Sequence, residues 1–541
     1  MKRGKKGETK IRKIRRRQFI SSAGLAGAGI ISAQAQKTWA QASAAHSLLN
    51  TSILIDYSKP LHQIPMTIYG HFIEELGKCI IGGIWRPVPG TDQFLGGVPW
   101  DLMNAIKLIR PSIIRYPGGC YADSYHWQNG IGPRDKRPIT PNKAWGMFGK
   151  AVGPDDTNQF GTDEFILFCR ELGAEPMLTV NVGTGTIEEA RAWVEYCNGA
   201  TSTKWGAERA KNGHKESFNV KYWCVGNEMW NPVDGGFTAE KYAKLYLDFA
   251  KAMRSVDPEI KLILCGFTDP ANRWNKKVLE IAGKDTDYLS IHSYGPSKLT
   301  EMDGKLKQKF GYKSTFKVLE QFEKCLNLGI SAIEESGINR EIKVAFDEWN
   351  LWYLFLDVVQ TNYNLRDGVF VSAMLNRLQR LADKVPIANL AQMVNCIGII
   401  VSDERGTFLT PSAWAFNIYT QYALDRYLAP AMSSLTPGLE VSANRDEKGE
   451  RLSLFLVNKD RDKKINAFIT LKNFIPKPEA ELTSLWHKDP FKYNTFENPN
   501  AIQPKTETIR IAPETKSQTF DFSIQLQEHS VTAVSLKRKI N

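Results

Sequence analysis

The sequence predicts a (β/α)8 barrel followed by an all-β sandwich, and three observations carry that expectation. From residue 60 to about 405, short apolar, β-branched segments alternate with longer helical ones, as in βα units wrapped around a parallel sheet. Eight strand candidates fall in that span, enough to close a barrel. Beyond Pro411 the texture changes to alternating apolar and polar runs separated by Lys, Asn, Asp and Pro, which reads as a sandwich without helical interruption. A length of 541 residues also exceeds what one hydrophobic core usually supports, so two domains are expected.

Taken in order, the chain opens on a basic stretch in which ten Lys or Arg stand against Glu8 within the first seventeen residues. An apolar, small-residue segment follows at 21–33, so 1–45 reads as an export signal and short linker. Arg16-Arg17-Gln18-Phe19-Ile20 resembles the twin-arginine motif, which predicts a periplasmic or extracellular destination. Cleavage after Ala35, Ala40 or Ala44 fits equally. The segment is too short and too rich in Gly and Ala to span a bilayer permanently. Residues 46–59 are expected to add a strand to the sandwich. Barrel strands are expected at 66–72, 112–116, 176–182, 221–225, 261–265, 288–293, 343–347 and 390–397, with the barrel occupying 60–408 and the sandwich 409–541. Residues 239–256 carry Tyr242, Leu245, Tyr246, Phe249 and Met253 at helical spacing. The polar stretches 204–216 and 298–317 read as solvated insertions.

Charge and cysteine usage exclude several function classes. The net charge is +12, but the first seventeen residues supply +9 of it, so the body of the protein is nearly neutral and nucleic-acid binding is not expected. The eight cysteines show neither Cys-x-x-Cys nor His at zinc spacing, so neither metal nor cofactor is predicted. Cys169, Cys197, Cys224, Cys265 and Cys396 read as small buried hydrophobes. Cys79 and Cys120 each follow a strand-end motif, and an oxidising compartment would permit a bond between them.

The chemistry is expected at the C-terminal ends of the barrel strands. Trp223-Cys-Val-Gly-Asn-Glu228 and Phe346-Asp-Glu-Trp-Asn350 each end an apolar run on a carboxylate. An acidic residue there costs stability unless something uses it. Paired carboxylates are what glycosidic bond cleavage needs: one acid protonates the departing oxygen, while a carboxylate attacks the sugar or activates water. Other strand ends contribute Glu74 and Glu75, Arg115 and Cys120, Asn227, His292 and Tyr294, and Gln392. Trp127, Trp145, Trp230, Trp349 and Trp352 lie nearby in sequence. Amides, carboxylates and indoles around one pocket suit a sugar, whose hydroxyls need partners and whose C–H faces pack on rings.

These motifs resemble those of the α-L-arabinofuranosidases of glycoside hydrolase family 51. The resemblance rests on Tyr69-Gly-His-Phe-Ile-Glu-Glu-Leu-Gly77, Arg115-Tyr-Pro-Gly-Gly-Cys120, Gly226-Asn-Glu-Met229, Asp347-Glu-Trp-Asn350 and Ala388-Asn-Leu-Ala-Gln-Met393, in family order across the barrel. It implies a retaining, exo-acting enzyme on arabinofuranosyl oligosaccharides or polysaccharides. It further implies Glu228 as general acid/base and Glu348 as nucleophile. Glu74, Cys120, Asn227, Tyr294 and Gln392 would bond the sugar, Arg115 and His292 would support the carboxylates, and Trp145 and Trp352 would shape the pocket. A homo-oligomer is compatible with the resemblance. The competing readings are a retaining endo-β-glucanase or β-xylosidase on the same barrel, and a non-catalytic carbohydrate-binding envelope protein. The segment Trp230-Asn231-Pro232 leaves the leaving-group side open.

Overall fold

A computed structural model of the chain describes residues 48–296, 304–353, 358–359, 362–433, 436–511 and 519–539. The expected export segment lies outside the described residues. Two strands come first, β1 (Leu48–Asp56) and β2 (Pro60–Gln63). They are followed by β3 (Gly70–Phe72), β4 (Ile113–Tyr116), β5 (Glu175–Val180), β6 (Tyr222–Val225), β7 (Lys261–Cys265), β8 (Tyr288–Gly295), β9 (Lys343–Leu351) and β10 (Ile387–Ala391). These last eight close into a parallel barrel in the order β10-β3-β4-β5-β6-β7-β8-β9. Ile113, Met177, Tyr222, Cys224, Ile263, Ala345 and Ile387, drawn from six of its strands, form one buried cluster. Packed interiors of this kind make such a barrel a core and not a pore.

The helices that cover the barrel are α1 (Trp100–Ile109), α2 (Thr162–Leu172), α3 (Ile187–Asn198), α4 (Lys204–Lys211), α5 (Ala239–Arg254), α6 (Arg273–Ala282), α7 (Gly304–Glu335) and α8 (Leu365–Arg380). Helix α5 shows why they form where they do. Thr238 caps its start by accepting from the Lys241 N–H at 3.3 Å, and Tyr242, Ala243, Tyr246, Phe249, Ala250 and Met253 make one buried stripe. Helix α8 begins with a capping box in which the Asn364 N–H donates to Asp367 at 2.9 Å.

A hairpin, β11 (Ile400–Asp403) and β12 (Gly406–Leu409), leads into helix α9 (Pro411–Tyr422). Then come β13 (Arg426–Leu428), β14 (Ala431–Met432), β15 (Leu439–Arg445), β16 (Arg451–Asn458), β17 (Lys464–Lys472), β18 (Pro476–Leu485), β19 (Lys505–Arg510), β20 (Thr519–Leu526) and β21 (Ser530–Arg538). They build a four-stranded sheet, β14-β1-β17-β20, and a seven-stranded sheet, β19-β18-β21-β16-β15-β13-β2. Ile53, Ile55, Leu454, Leu456, Ile469 and Leu536 lie in the core shared by the two.

Several boundaries differ from the sequence expectation. Residues 60–63 pair with β13 in the sandwich sheet and not in the barrel. The sandwich is preceded by a helix, α9, whose apolar residues all but encircle it: it is buried between the barrel and the strands, so no amphipathic period announces it. Residues 66–69 form a 3-10 turn ahead of β3. The last barrel strand ends at Ala391, leaving 392–397 as loop. The insertion at 204–216 contains α4, and 304–317 is the start of α7; 297–303 lies outside the described residues. All eight cysteines are free, Cys79 and Cys120 included. Cys79 lies beside Cys396, whereas Cys120 faces Asp234, Glu74 and Glu228.

Candidate active site

The site is built around an irregularity in β9. Ser290 of β8 pairs with Ala345, but His292 pairs with Glu348, so β9 carries one residue more than its neighbour across that step. The same shift recurs against β10, where Ala388 faces Phe346 and Leu390 faces Trp349. A bulge breaks the alternation of side chains along a strand. Two consecutive carboxylates, Asp347 and Glu348, thereby reach the same guanidinium: Arg115 of β4 places Nη1 at 2.5 Å from Glu348 Oε1 and Nε at 3.5 Å from Asp347 Oδ2. All three side chains are buried. The remaining arm of Arg115 donates to Asn227 Oδ1 at 2.9 Å.

His292 joins the two strand-end motifs. Its Nδ1 lies 3.0 Å from Glu228 Oε1 and 3.6 Å from Glu348 Oε2, while Nε2 lies 3.4 Å from Asp347 Oδ1. Burial opposes charge on the ring, but Glu348, Asp347 and Glu228 outweigh it and push His292 up to about 10. For Asp347 burial works upward, and His292, Arg115 and the Ser290 hydroxyl overcome it to hold the carboxyl below its usual range. Tyr294 completes the setting by donating to Glu348 Oε2 at 2.8 Å.

Glu228 stands just past β6, where the chain turns through Gly226 (φ 76°) and Glu228 itself (φ 37°). A non-glycine residue in the left-handed region is strained and persists only where its surroundings hold it. Here Asp123 accepts from the backbone N–H groups of Asn227, Val182 and Gly183 at 2.9, 2.8 and 3.1 Å. The Met229 N–H donates to Cys265 Sγ at 3.3 Å, and Tyr242 donates to the Val225 carbonyl at 2.7 Å. The Asn227 side-chain nitrogen, by contrast, is buried without a partner.

A second wall comes from the loops after β3, β4 and β10. Glu74 Oε1 accepts from Trp145 Nε1 at 2.8 Å and from the Tyr121 N–H at 3.0 Å. Gln392 answers with two bonds, accepting from the Glu74 N–H at 3.1 Å and donating to Glu74 Oε2 at 3.3 Å. Burial, with Glu348 nearby, pushes the Glu74 carboxyl up to about 7. The glycine pair before Cys120 follows from this crowding: a Cβ on Gly118 would sit 2.7 Å from Glu74 Cγ, and one on Gly119 2.7 Å from Oε1. Trp352 lies edge-on to Tyr294 at 5.3 Å, and Trp230 is stacked on Phe267 at 4.0 Å.

The structure therefore gathers Glu74, Arg115, Cys120, Trp145, Asn227, Glu228, His292, Tyr294, Glu348, Trp352 and Gln392 at one end of the barrel. Trp127 and Trp349 belong to the core. Trp127 stacks on Trp193 at 6.1 Å, and Trp349 lies fully buried against Phe346. Sequence reasoning missed Asp123, Asp234 and the supporting role of Asn350, which donates to the Ala391 and Ile397 carbonyls at 2.6 and 2.8 Å and so fixes the loop carrying Gln392. Asn350 closes the Asp-Glu-Trp-Asn segment, and that adjacency was the one available signal.

Comparison with known proteins places this geometry. A family model described as alpha-L-arabinofuranosidase 1 domain matches residues 105–314, and another, alpha-L-arabinofuranosidase C-terminal domain, matches 347–530. Alpha-L-arabinofuranosidase C of Emericella nidulans is 34% identical over 77% of this chain and 86% of its own length. The intracellular exo-alpha-(1->5)-L-arabinofuranosidase 1 of Bacillus subtilis is 30% identical over 83% of this chain and 93% of its own. Among solved structures, the thermostable GH51 alpha-L-arabinofuranosidase of Thermotoga petrophila superposes with a TM-score of 0.81 at 34% identity, covering 90% of this chain and all of that one. Likeness of this extent, over barrel and sandwich together, means that the chain belongs to the α-L-arabinofuranosidases of glycoside hydrolase family 51.

Proposed function

We propose that the protein removes terminal, non-reducing α-L-arabinofuranosyl residues from arabinose-containing oligosaccharides or polysaccharides by double displacement. One observation carries the stereochemical part: a carboxylate oxygen of Glu228 lies within 4.8 Å of one of Glu348. Retaining glycosidases hold their carboxyl groups about 5–5.5 Å apart, whereas inverting ones leave roughly 6.5–9.5 Å for a water. In the first step Glu348, bound by Arg115, attacks the anomeric carbon while Glu228 gives its proton to the leaving oxygen. Once Glu348 is esterified, the Glu228 carboxylate takes a proton from the water that attacks the glycosyl-enzyme.

The other residues divide the sugar between them. The unpartnered Asn227 nitrogen is suited to a sugar hydroxyl next to the reacting carbon, because a buried donor left unpaired is costly. Glu74, Cys120, Tyr294 and Gln392 supply further partners, with Trp145 and Trp352 closing the sides. The name of the Bacillus subtilis relative specifies exo action on α-(1→5) linkages, which supports arabinan as one substrate here. The basic, twin-arginine-like N-terminus supports export, so that the substrate is met outside the cytoplasm.

Purified mature enzyme supplied with aryl α-L-arabinofuranoside, aryl β-xyloside and a soluble β-glucan tests the reading. Hydrolysis of the first and release of free arabinose from arabinan are expected. Preferential cleavage of the glucan or the xyloside would overturn it.

A further inference from the structure

No zinc-like spacing is visible in the sequence, yet the fold brings Cys120, Glu228 and Asp234 together from the loops after β4 and β6. One donor atom of each lies within 4.8 Å of the others. Asp234 belongs to a tight turn closed by its own N–H on the Asn231 carbonyl at 3.0 Å and by the Phe237 N–H on Met229 at 2.8 Å. The turn buries its side chain, leaving Asp234 3% exposed. Neither carboxylate oxygen accepts a hydrogen bond of ordinary geometry; the Cys120 thiol faces it. A buried carboxyl left without such a partner is costly. Its neighbours Asp123, Glu228 and Glu74 favour the protonated acid, while Arg115 and His292 are engaged by Glu348, Asp347 and Glu228. A small cation would relieve each of these strains at once.

Donor chemistry selects the cation. A thiolate with carboxylates is a ligand set for borderline or soft divalent ions, zinc and cadmium above all, and not for magnesium or calcium, which take oxygen alone. We propose that Cys120, Glu228 and Asp234 form a binding site for a thiophilic divalent cation, and that its occupation reversibly switches off hydrolysis. On binding, the Cys120 thiol and the Asp234 and Glu228 carboxyls give up their protons to water, the sulfur takes the metal, and the two carboxylates bind it through their oxygens. Glu228 then has no proton to deliver to a leaving group. Cys120 is at the same time withdrawn from the sugar pocket, so cation and substrate compete. The inhibition rests on the acid/base role given above to Glu228; the binding does not.

The full chain, stripped of metal with a chelator and dialysed, is titrated with Cd2+ while ultraviolet thiolate-to-metal absorption is followed. A parallel Zn2+ titration follows hydrolysis of aryl α-L-arabinofuranoside. A saturable cadmium band is expected, lost in Cys120→Ser, together with zinc inhibition that a chelator reverses and that raises the apparent KM. Asp234→Asn should weaken both by roughly tenfold or more, the scale on which losing even an outer-shell partner weakens a metal site. Should that variant misfold, as judged by circular dichroism, Asp234→Ser replaces it. A band undiminished in Cys120→Ser, or zinc inhibition as strong in the Asp234 variant as in the parent, would overturn the proposal. If the enzyme hydrolyses no arabinofuranoside at all, the functional reading fails while the cadmium titration still decides the site.

Discussion

Arg115 binds two adjacent carboxylates and an amide with one guanidinium, and that arrangement gives the two glutamates different surroundings. Glu348 is buried against Arg115 and Tyr294, whereas Glu228 keeps the more open position, its side chain 17% exposed, with His292 and Asn231 as neighbours. Environment and not residue type thus distinguishes the two, in keeping with the proposed roles of nucleophile and proton donor. Glu228→Ala is expected to lose about 10²- to 10⁴-fold in kcat on natural oligosaccharides, the usual worth of general acid catalysis. It should retain most of its glycosylation rate on aryl substrates whose leaving group needs no proton, which kcat/KM on the two substrates, or the burst of aryl release, measures. Full activity on oligosaccharides would remove Glu228 from its role. Asn227→Ala should lower kcat by about 10²- to 10³-fold, comparable to deletion of one preorganised donor in an oxyanion hole; an effect confined to KM would mean that the amide binds the ground state only.

Among elements, the bulged β9 and the segments that hold it are where sequence and structure part. Strand-end carboxylates are legible because an acid closing an apolar run is unusual, and Glu228 and Glu348 were readable on that ground. That Asp347 also turns toward Arg115 was not, since alternation along a strand would have sent it to the opposite face and the extra residue depends on pairing with β8 and β10. The φ of Glu228, the three backbone bonds to Asp123 and the burial of Asp234 likewise arise from chain segments distant in sequence. Trp127 and Trp349 were placed near the pocket on proximity alone; an indole's direction is set by its packing partners. Asn350→Ala leaves two buried carbonyls without their donor, at about 1–3 kcal/mol for each group unpaired. A lowered Tm together with a raised KM is expected, because Gln392 rides on that loop. Unchanged binding would sever the link. Helix α2 supplies a pH test away from the site. Burial pushes Asp163 up to about 7 against the Tyr196 hydroxyl bond. The folded protein therefore holds a proton that the unfolded chain releases near its ordinary value of 3.8, so stability falls as pH rises from about 4 to 7. Asp163→Asn should raise Tm at pH 8 more than at pH 4 in thermal melts, and an equal effect at both would contradict the assignment.

At the scale of the whole molecule, the sandwich is fastened to the barrel by polar and aromatic contacts along α8 and α9. Tyr419 stacks on Phe455 at 4.3 Å, Asn376 donates to the Phe455 carbonyl at 3.3 Å, and Arg377 reaches Glu440 at 2.7 Å. Gln379 links the Tyr69 hydroxyl, at 2.8 Å, to Ser442 and Asn444 of β15. Strand β1 precedes the barrel in sequence yet lies in the sandwich sheet, so the two domains cannot be cut apart at one point. Calorimetry is expected to record a single cooperative transition, and a chain ending at residue 410 to lack it; two separable transitions would show independent folding. The switch from alternating βα segments to β runs made this two-domain plan readable, whereas α9, buried on nearly every side, hid the junction.

The proposed roles, Glu348 attacking the sugar and Glu228 serving it, meet in one covalent species, the glycosyl-enzyme. Brief reaction of Glu228→Ala with an activated aryl α-L-arabinofuranoside, followed by intact-mass and peptide mass spectrometry, tests this directly, since the variant forms the glycosyl-enzyme but hydrolyses it slowly. One arabinofuranosyl group esterified to the peptide at Glu348 is expected. An adduct on Asp347, Glu74 or any other carboxylate, or turnover to inverted arabinose with no adduct, would contradict it.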